Sequence, residues 1–198
     1  MFGYLITSPL YHPNNSPLLF KSNLLKAKAK GVKLACFRLE TKSEDLDSKQ
    51  RALLDVFLQV CKEERINPFV NFTYLQTSLD LLEEGVKVGL HLKEKFLTFL
   101  ESKTSHSYHL DSKVEIICSV HDQKAAFKAL SLGASFVTLS PLFATPNKGT
   151  PKGIEYFKSL PLELKSKTIA LGGINDTNLE LVKSLGVAGF GAIRYFLE

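Results

Sequence analysis

Ser140, Thr145, Asn147 and Lys148 lie close together in the segment Phe136-Val-Thr-Leu-Ser-Pro-Leu-Phe-Ala-Thr-Pro-Asn-Lys148, and they offer two hydroxyls, an amide and a cation. That set suits a phosphate, whose oxygens take several donors and at least one positive charge; read alone, it would also serve as an ordinary polar connection. His121 follows the apolar run Ile116-Ile-Cys-Ser-Val120. An imidazole titrating near neutrality can pass protons as a general acid or base, while a helix cap or a plain surface residue fits the same position. Arg38 ends the run Val32-Lys-Leu-Ala-Cys-Phe37, where a guanidinium could clamp a phosphate or carboxylate at two points or pair with Glu40 or a neighbouring helix. Ile169-Ala-Leu-Gly172-Gly173-Ile174 runs from strand-like residues into paired glycines, a shape that lets backbone N–H groups approach an anion at a helix start. Gly189 and Gly191 extend the glycine-rich character to the last segment.

Such residues need elements to hold them. Short apolar or β-branched runs predict strands over Phe2–Thr7, Val32–Arg38, Phe69–Asn71, Val86–Leu92, Val114–Ser119, Phe136–Ser140, Thr168–Leu171 and Val187–Ala192. Amphipathic stretches between them predict helices over Leu18–Lys30, Ser43–Glu64, Leu75–Glu84, Lys93–Ser102, Asp122–Leu132, Ile154–Leu160 and Asn175–Leu185. Gly31, Gly85, Gly133 and Gly186 fall where left-handed helix stops belong, and Asp122 and Asn175 where N-caps belong.

Alternating strands and helices fit either a (β/α)8 TIM barrel or an open doubly wound sheet. The strand ends recur roughly every 20 to 33 residues, close to one barrel unit, and no Gly-x-Gly-x-x-Gly follows the first strand to mark a dinucleotide fold. The expectation is therefore an α/β TIM barrel occupying residues 1–198 as one compact domain. Little chain follows the eighth strand, too little for a full final helix. In such a barrel Arg38, Asn71, Ser119, His121, Ser140, Thr145, Lys148, Gly172 and Gly173 all stand at or just past carboxyl ends of strands, the end that carries chemistry. His91, inside the fourth strand pattern, is expected to be a hydrogen-bonded packing residue; His12, His106 and His109 are expected to be exposed.

Composition removes several classes. At 44% hydrophobic and 23% charged, the 198 residues can bury a core and are not disordered-like. The net charge of +5 is spread over helix faces and forms no block, which argues against a nucleic-acid groove and fits attraction of a small anion. Cys36, Cys61 and Cys118 lack any metal or disulfide spacing; Cys36 and Cys118 fall inside apolar runs and read as small buried apolar groups. With no secretory signal pattern and no run of membrane-spanning length, the expected home is the cytoplasm.

The order of Phe37-Arg38, Asn71, Gly89-x-His-Leu92, Ser119-Val-His121, Gly133-Ala-x-x-Val, Ser140-Pro-Leu-Phe-x-Thr145-x-x-Lys148 and Ala170-Leu-Gly-Gly-Ile174 resembles the thiamine phosphate synthase/TenI family over most of the chain. The resemblance implies a TIM barrel that binds a small phosphorylated thiazole or aminopyrimidine substrate, with no membrane or nucleic-acid partner; a homo-oligomer is expected because family members are often oligomeric. Two activities belong to that family. The synthase joins an aminopyrimidine diphosphate to a thiazole phosphate with Mg2+ held by acidic residues. The TenI-type tautomerase rearranges thiazole phosphate carboxylate to its aromatic tautomer without a metal.

Three departures from the synthase pattern favour the tautomerase. Asn71-Phe72 stands where synthases carry Asn-Asp, Phe96 where they carry an aspartate, and Glu40 where they carry a lysine. Magnesium wants carboxylate and phosphate oxygens, which phenylalanines cannot give; Glu94, displaced in register, is the candidate substitute ligand, and Glu40 would repel diphosphate. The resemblance implies His121 as the catalytic proton carrier and Arg38 as the group holding the substrate carboxylate or ring. Asn71, Ser119, Ser140, Thr145, Asn147, Lys148, Gly172, Gly173, Gly189 and Gly191 would bind substrate and phosphate. No protein metal ligand or cofactor is expected on this reading, and Mg2+ only if synthase activity survives. A non-catalytic binder that kept the phosphate site is the third alternative.

Overall fold

The computed structural model describes residues 1–39, 45–102, 113–146 and 148–198. Glu40, His106, His109 and Asn147 lie outside the described residues. Eight parallel strands close in sequence order into a barrel, the TIM-type (β/α)8 arrangement expected. They are Phe2–Ile6 (β1), Val32–Phe37 (β2), Asn67–Asn71 (β3), Gly89–Lys93 (β4), Ile116–Val120 (β5), Phe136–Leu139 (β6), Thr168–Leu171 (β7) and Gly189–Ala192 (β8). Strands in such a ring are covered on both faces and read as nearly unbroken apolar runs. In β2 only Lys33 is exposed. No helix among the described residues is long and apolar enough to cross a membrane.

The chain divides into two compact units. One comprises Phe2–Gly89 with Ala192–Glu198. Here β1 pairs with β2 and β2 with β3, and the helices are Pro17–Ala29 (α1), Ser48–Glu63 (α2) and Leu75–Glu83 (α3). Phe20 of α1, Phe37 of β2, Phe57 of α2 and Tyr74 form a chain of ring contacts 5.5 to 6.4 Å apart, each pair worth about 0.5–1.5 kcal/mol beyond area burial. The Tyr74 hydroxyl does more than pack. It accepts from the Leu39 N–H and donates to the Leu39 carbonyl, both at 2.7 Å. Both peptide groups of the residue leaving β2 are thereby satisfied, and burial pushes the phenol pKa up to about 12.

The same unit ends on a single 3-10 turn, Arg194–Phe196, in place of a full helix. Phe196 is fully buried against β1, where a Cβ on Gly3 would come within 3.0 Å of its ring. His12, expected at the surface, is only 5% exposed, because the loop after β1 folds it edge-on against Phe20 at 5.5 Å.

The second unit comprises Met1 and Leu90–Gly191. It carries Leu97–Ser102 (α4), Gln123–Ser131 (α5), Gly153–Lys158 (α6), Leu162–Lys165 (α7) and Leu179–Ser184 (α8). All four expected helix-stop glycines adopt positive φ. Asp122 caps α5, its carboxylate accepting from the Ala125 N–H at 2.8 Å.

Three expected helices are shorter, for local reasons. In the first unit, α2 starts at Ser48 because Asp47 and Gln50 form a reciprocal capping box. In the second, Lys93 belongs to β4 and Glu94–Phe96 form a 3-10 turn before α4. The side chain of Asn175 folds back onto the Thr177 N–H and hydroxyl at 3.0 and 2.7 Å, so Asn178 precedes α8 in its place. The short α7 has no counterpart in the sequence pattern.

Tyr74→Phe keeps the ring and strands two buried Leu39 peptide groups, a loss of about 1–3 kcal/mol. Urea unfolding monitored by fluorescence checks it; an unchanged midpoint would remove the clamp from the account.

Candidate active site

His121 is the first residue after β5 and is exposed. Its peptide groups are held from two directions. The N–H donates to Glu94 Oε2 at 2.9 Å, and Lys152 Nζ donates to the His121 carbonyl. With Asp122 capping the next helix, the backbone is fixed while the imidazole faces solvent. Hydrogen bonds to a charged partner are stronger than neutral ones, so a carboxylate and an ammonium make a firm mount. Lys152 also sits 4.8 Å over the Tyr156 ring. Sequence reading missed Lys152: it is 31 positions away and its role comes only from where the β6–α6 loop returns. Glu94 was the stand-in metal ligand, and in the structure one of its oxygens is committed to His121.

Below this mount a polar chain crosses the strands. His91 on β4 is buried, as expected of a packing residue, and its Nε2 lies 2.6 Å from Ser119 Oγ. Ser119 also accepts from the Thr138 hydroxyl at 2.9 Å. The serine expected to meet substrate is thus already engaged by two strand neighbours.

Ser140 is half-buried just past β6. The loop it opens is zipped onto the end of β7, with Leu142 N–H donating to Leu171 O at 2.7 Å and Phe143 N–H to Gly172 O at 3.1 Å. Thr145 donates to the Phe143 carbonyl at 3.0 Å, and Lys148 is exposed, its N–H on Thr145 O at 3.2 Å. Gly172 and Gly173 have φ of +102° and +67°. A Cβ on Gly172 would lie 2.8 Å from Pro141, and one on Gly173 2.7 Å from Phe143 and 2.8 Å from the Ala144 carbonyl. Only glycine fits both the backbone angle and the space, so Ser140, Thr145, Gly172 and Gly173 are brought together as expected. Gly189 and Gly191 are not part of this turn. The last strand starts at Gly189, later than the expected Val187, and both glycines are buried in its ladder opposite Ile169 and Leu171.

In the other unit Arg38 follows β2, half-buried. Its N–H donates to Thr7 Oγ1 at 2.9 Å, and the Thr7 hydroxyl donates back to the Arg38 carbonyl at 3.0 Å. Its Nε is buried with no hydrogen-bond partner among the described residues, a costly state for a charged donor. Asn71, at the end of β3 and buried, spends Oδ1 on the Thr73 N–H and hydroxyl at 3.0 and 2.7 Å. Its side chain shapes its own turn first.

Magnesium takes oxygen ligands, and the synthase pattern that this chain resembles would place its carboxylates after β3 and β4. Phe72 is 2% exposed, and the Phe96 ring has the Lys95 ammonium 4.8 Å from its centroid, a cation where a divalent ion would want an anion. Among the described residues no three His, Cys, Asp or Glu side chains group as metal ligands. Phe72 and Phe96 offer no oxygen to a magnesium ion at these two positions. Cys36, Cys61 and Cys118 are buried free thiols, their pKa values pushed up to about 12 by burial.

A family model described as thiamine monophosphate synthase matches residues 4–196. The thiamine-phosphate synthase of Syntrophomonas wolfei is 28% identical over 188 residues, covering 93% of this chain and 86% of that protein. That of Gloeobacter violaceus is 26% identical over 193 residues, covering 96% of this chain but 51% of that protein, so the chain spans about half of its length. Among solved structures, a thiamine phosphate pyrophosphorylase from Pyrococcus furiosus superposes with a TM-score of 0.73 at 20% identity, over 97% of this chain and 85% of that one, a likeness of fold.

Gly173→Ala meets both a positive φ and a filled space, costing about 3 kcal/mol. Gly186→Ala, at φ +72° with nothing within 4 Å, costs only about 1 kcal/mol. Equal losses in denaturant unfolding would contradict the packed turn.

Proposed function

We propose that this chain, which belongs to the thiamine monophosphate synthase family, binds a phosphorylated thiazole and isomerises it by proton transfer at His121. The observation that carries the reading is the mount of His121: Glu94 and Lys152 fix the peptide groups on either side and leave the imidazole open to a ligand. A proton leaves one position of the heterocycle and one is returned at another. Electron pairs shift within the ring system toward the aromatic isomer, and mass is unchanged. A neutral imidazole accepts a proton and its conjugate acid donates one, so a single side chain can do both.

The phosphate is assigned to the Gly172-Gly173 turn with Ser140, Thr145 and Lys148, and Asn147 keeps its sequence-based place there. The two glycines allow the backbone to come close to an anion. Ser119 and Asn71 act chiefly through the geometry they impose, since their side chains already serve protein partners. Arg38 keeps its sequence-based assignment to the substrate carboxylate, which rests on the family resemblance and on the bidentate fit of guanidinium to carboxylate; among the described residues its Nε has no hydrogen-bond partner. No catalytic contact is assigned to Gly189 or Gly191.

The second reading, a thiamine phosphate synthase, is favoured by the names of the relatives from Syntrophomonas wolfei and Gloeobacter violaceus. It asks for a metal-assisted loss of diphosphate, which Phe72 and Phe96 do not support.

Two assays separate the readings. Wild type should convert thiazole phosphate carboxylate to its aromatic tautomer without added metal. His121→Asn should lose roughly two or more orders of magnitude in rate while its affinity for the aromatic thiazole phosphate changes less than about threefold. Full activity in folded His121→Asn removes His121 from the mechanism. Robust magnesium-dependent thiamine phosphate formation from the two precursors replaces the tautomerase with the synthase.

A further inference from the structure

Lys152 reaches His121 from the loop that also walls the Gly172-Gly173 turn, and the bonds between the two places are continuous. All of them lie inside the second unit. Pro141 stands against the turn, where a Cβ on Gly172 would lie 2.8 Å from it. Leu142 is fully buried and pinned in both directions. Its N–H donates to Leu171 O at 2.7 Å, and its carbonyl accepts from the Gly153 N–H at 3.1 Å. The Lys152 N–H donates to the Pro141 carbonyl at 2.8 Å. The backbone of Lys152 is thus tied to the residues that abut the glycines, while its ammonium is tied to the His121 carbonyl.

The side chain between these two ties is not slack. Its ammonium lies 4.8 Å from the centroid of the Tyr156 ring, a cation–π contact with a residue of the helix that starts one position later. Lysine normally keeps its ammonium in water at the end of a flexible four-carbon stem; here both ends are held. The bond to His121 is charge-assisted and therefore stronger than a neutral pair. Helix α5 does not depend on it, because the Asp122 carboxylate caps the first turn. What the ammonium fixes is the peptide group leaving His121, as Glu94 fixes the one entering it.

An anion drawn to the N–H groups of the glycine turn orders Pro141 and Leu142, which pack and bond against it. Ordering these two residues orders the Lys152 backbone, and the ammonium carries that order to the carbonyl of the proton carrier. Binding energy from a part of the substrate that does not react raises turnover when it is spent on orientation at the reacting centre. A misplacement of about 1 Å there costs on the order of a hundredfold in rate.

We infer that Lys152 is a positioning residue that couples the phosphate turn to His121, so that an anion seated at Gly172-Gly173 tightens the placement of the imidazole. The inference rests on the phosphate assignment proposed above. It gives the phosphate a part in turnover beside its part in affinity.

The test uses the full chain and inorganic phosphate, read by NMR at the Gly172 and Gly173 amides and at a carbon-13-labelled His121 carbonyl. In wild type these signals should move together with one shared midpoint. In Lys152→Met, which keeps an apolar stem on Tyr156, the glycine signals should move with a midpoint within about threefold of wild type while the His121 carbonyl stays still. Lys152→Gln, more polar at this half-exposed position, should behave in the same way. With thiazole phosphate carboxylate as substrate, Lys152→Met should lower kcat about tenfold or more and change KM less than about threefold. A wild type without turnover refutes the proton-transfer reading and leaves the coupling to the phosphate titration. Glycine signals that stay still refute the phosphate assignment and the inference together. The inference alone is overturned if the glycine signals move and the His121 carbonyl does not, or if both folded variants respond as wild type does. Loss of phosphate affinity in the variants overturns it as well, since Lys152 would then be a phosphate ligand.

Discussion

A parallel strand that reaches its carboxyl end leaves its ladder, and the peptide groups that follow must find new partners or remain unsatisfied. Most features of this molecule answer that demand. Tyr74 closes on both peptide groups of Leu39, Thr7 does the same for Arg38, and Glu94 with Lys152 holds His121. Asn71 serves its own turn, and the end of β7 is zipped to the loop after β6. The strand exits are rigid because side chains from other elements, and in one case an adjacent loop, take the place of the missing ladder.

This solution limits which residues remain for chemistry. Asn71, Ser119 and Glu94 are the residue types an active site would recruit, yet each already bonds to the protein. Among the described residues a smaller set is left: the His121 imidazole on a fixed backbone, the Arg38 Nε, which has no hydrogen-bond partner there, and a turn that only glycine can make. Preorganised donors of this kind need little rearrangement when charge develops on a ligand. The same economy explains why a phenylalanine can follow Asn71: Phe72 is drawn into the core, and the position contributes packing in place of charge.

The architecture was legible because periodicity carries it. Strand centres, the glycine stops and the Asp122 cap follow from local sequence, and the paired glycines were found because their φ and close packing demand that residue type. The helix starts were harder to read, because Asp47 and Asn175 make local side-chain bonds that compete with helix continuation. The last strand reads from Val187 in the sequence, while its ladder begins two positions later at Gly189. Lys152 and the burial of His12 left no mark in the pattern. Both depend on how a loop returns across the fold, which periodicity does not encode.

The three cysteine thiols have a practical bearing. Burial pushes each thiol's pKa up to about 12, which keeps the reactive anion scarce at neutral pH. Native sulfhydryls therefore stay silent toward alkylating dyes and mild oxidants while the fold is intact. A cysteine introduced on an exposed loop would carry a probe without background, and modification of the native ones would report the moment the barrel opens.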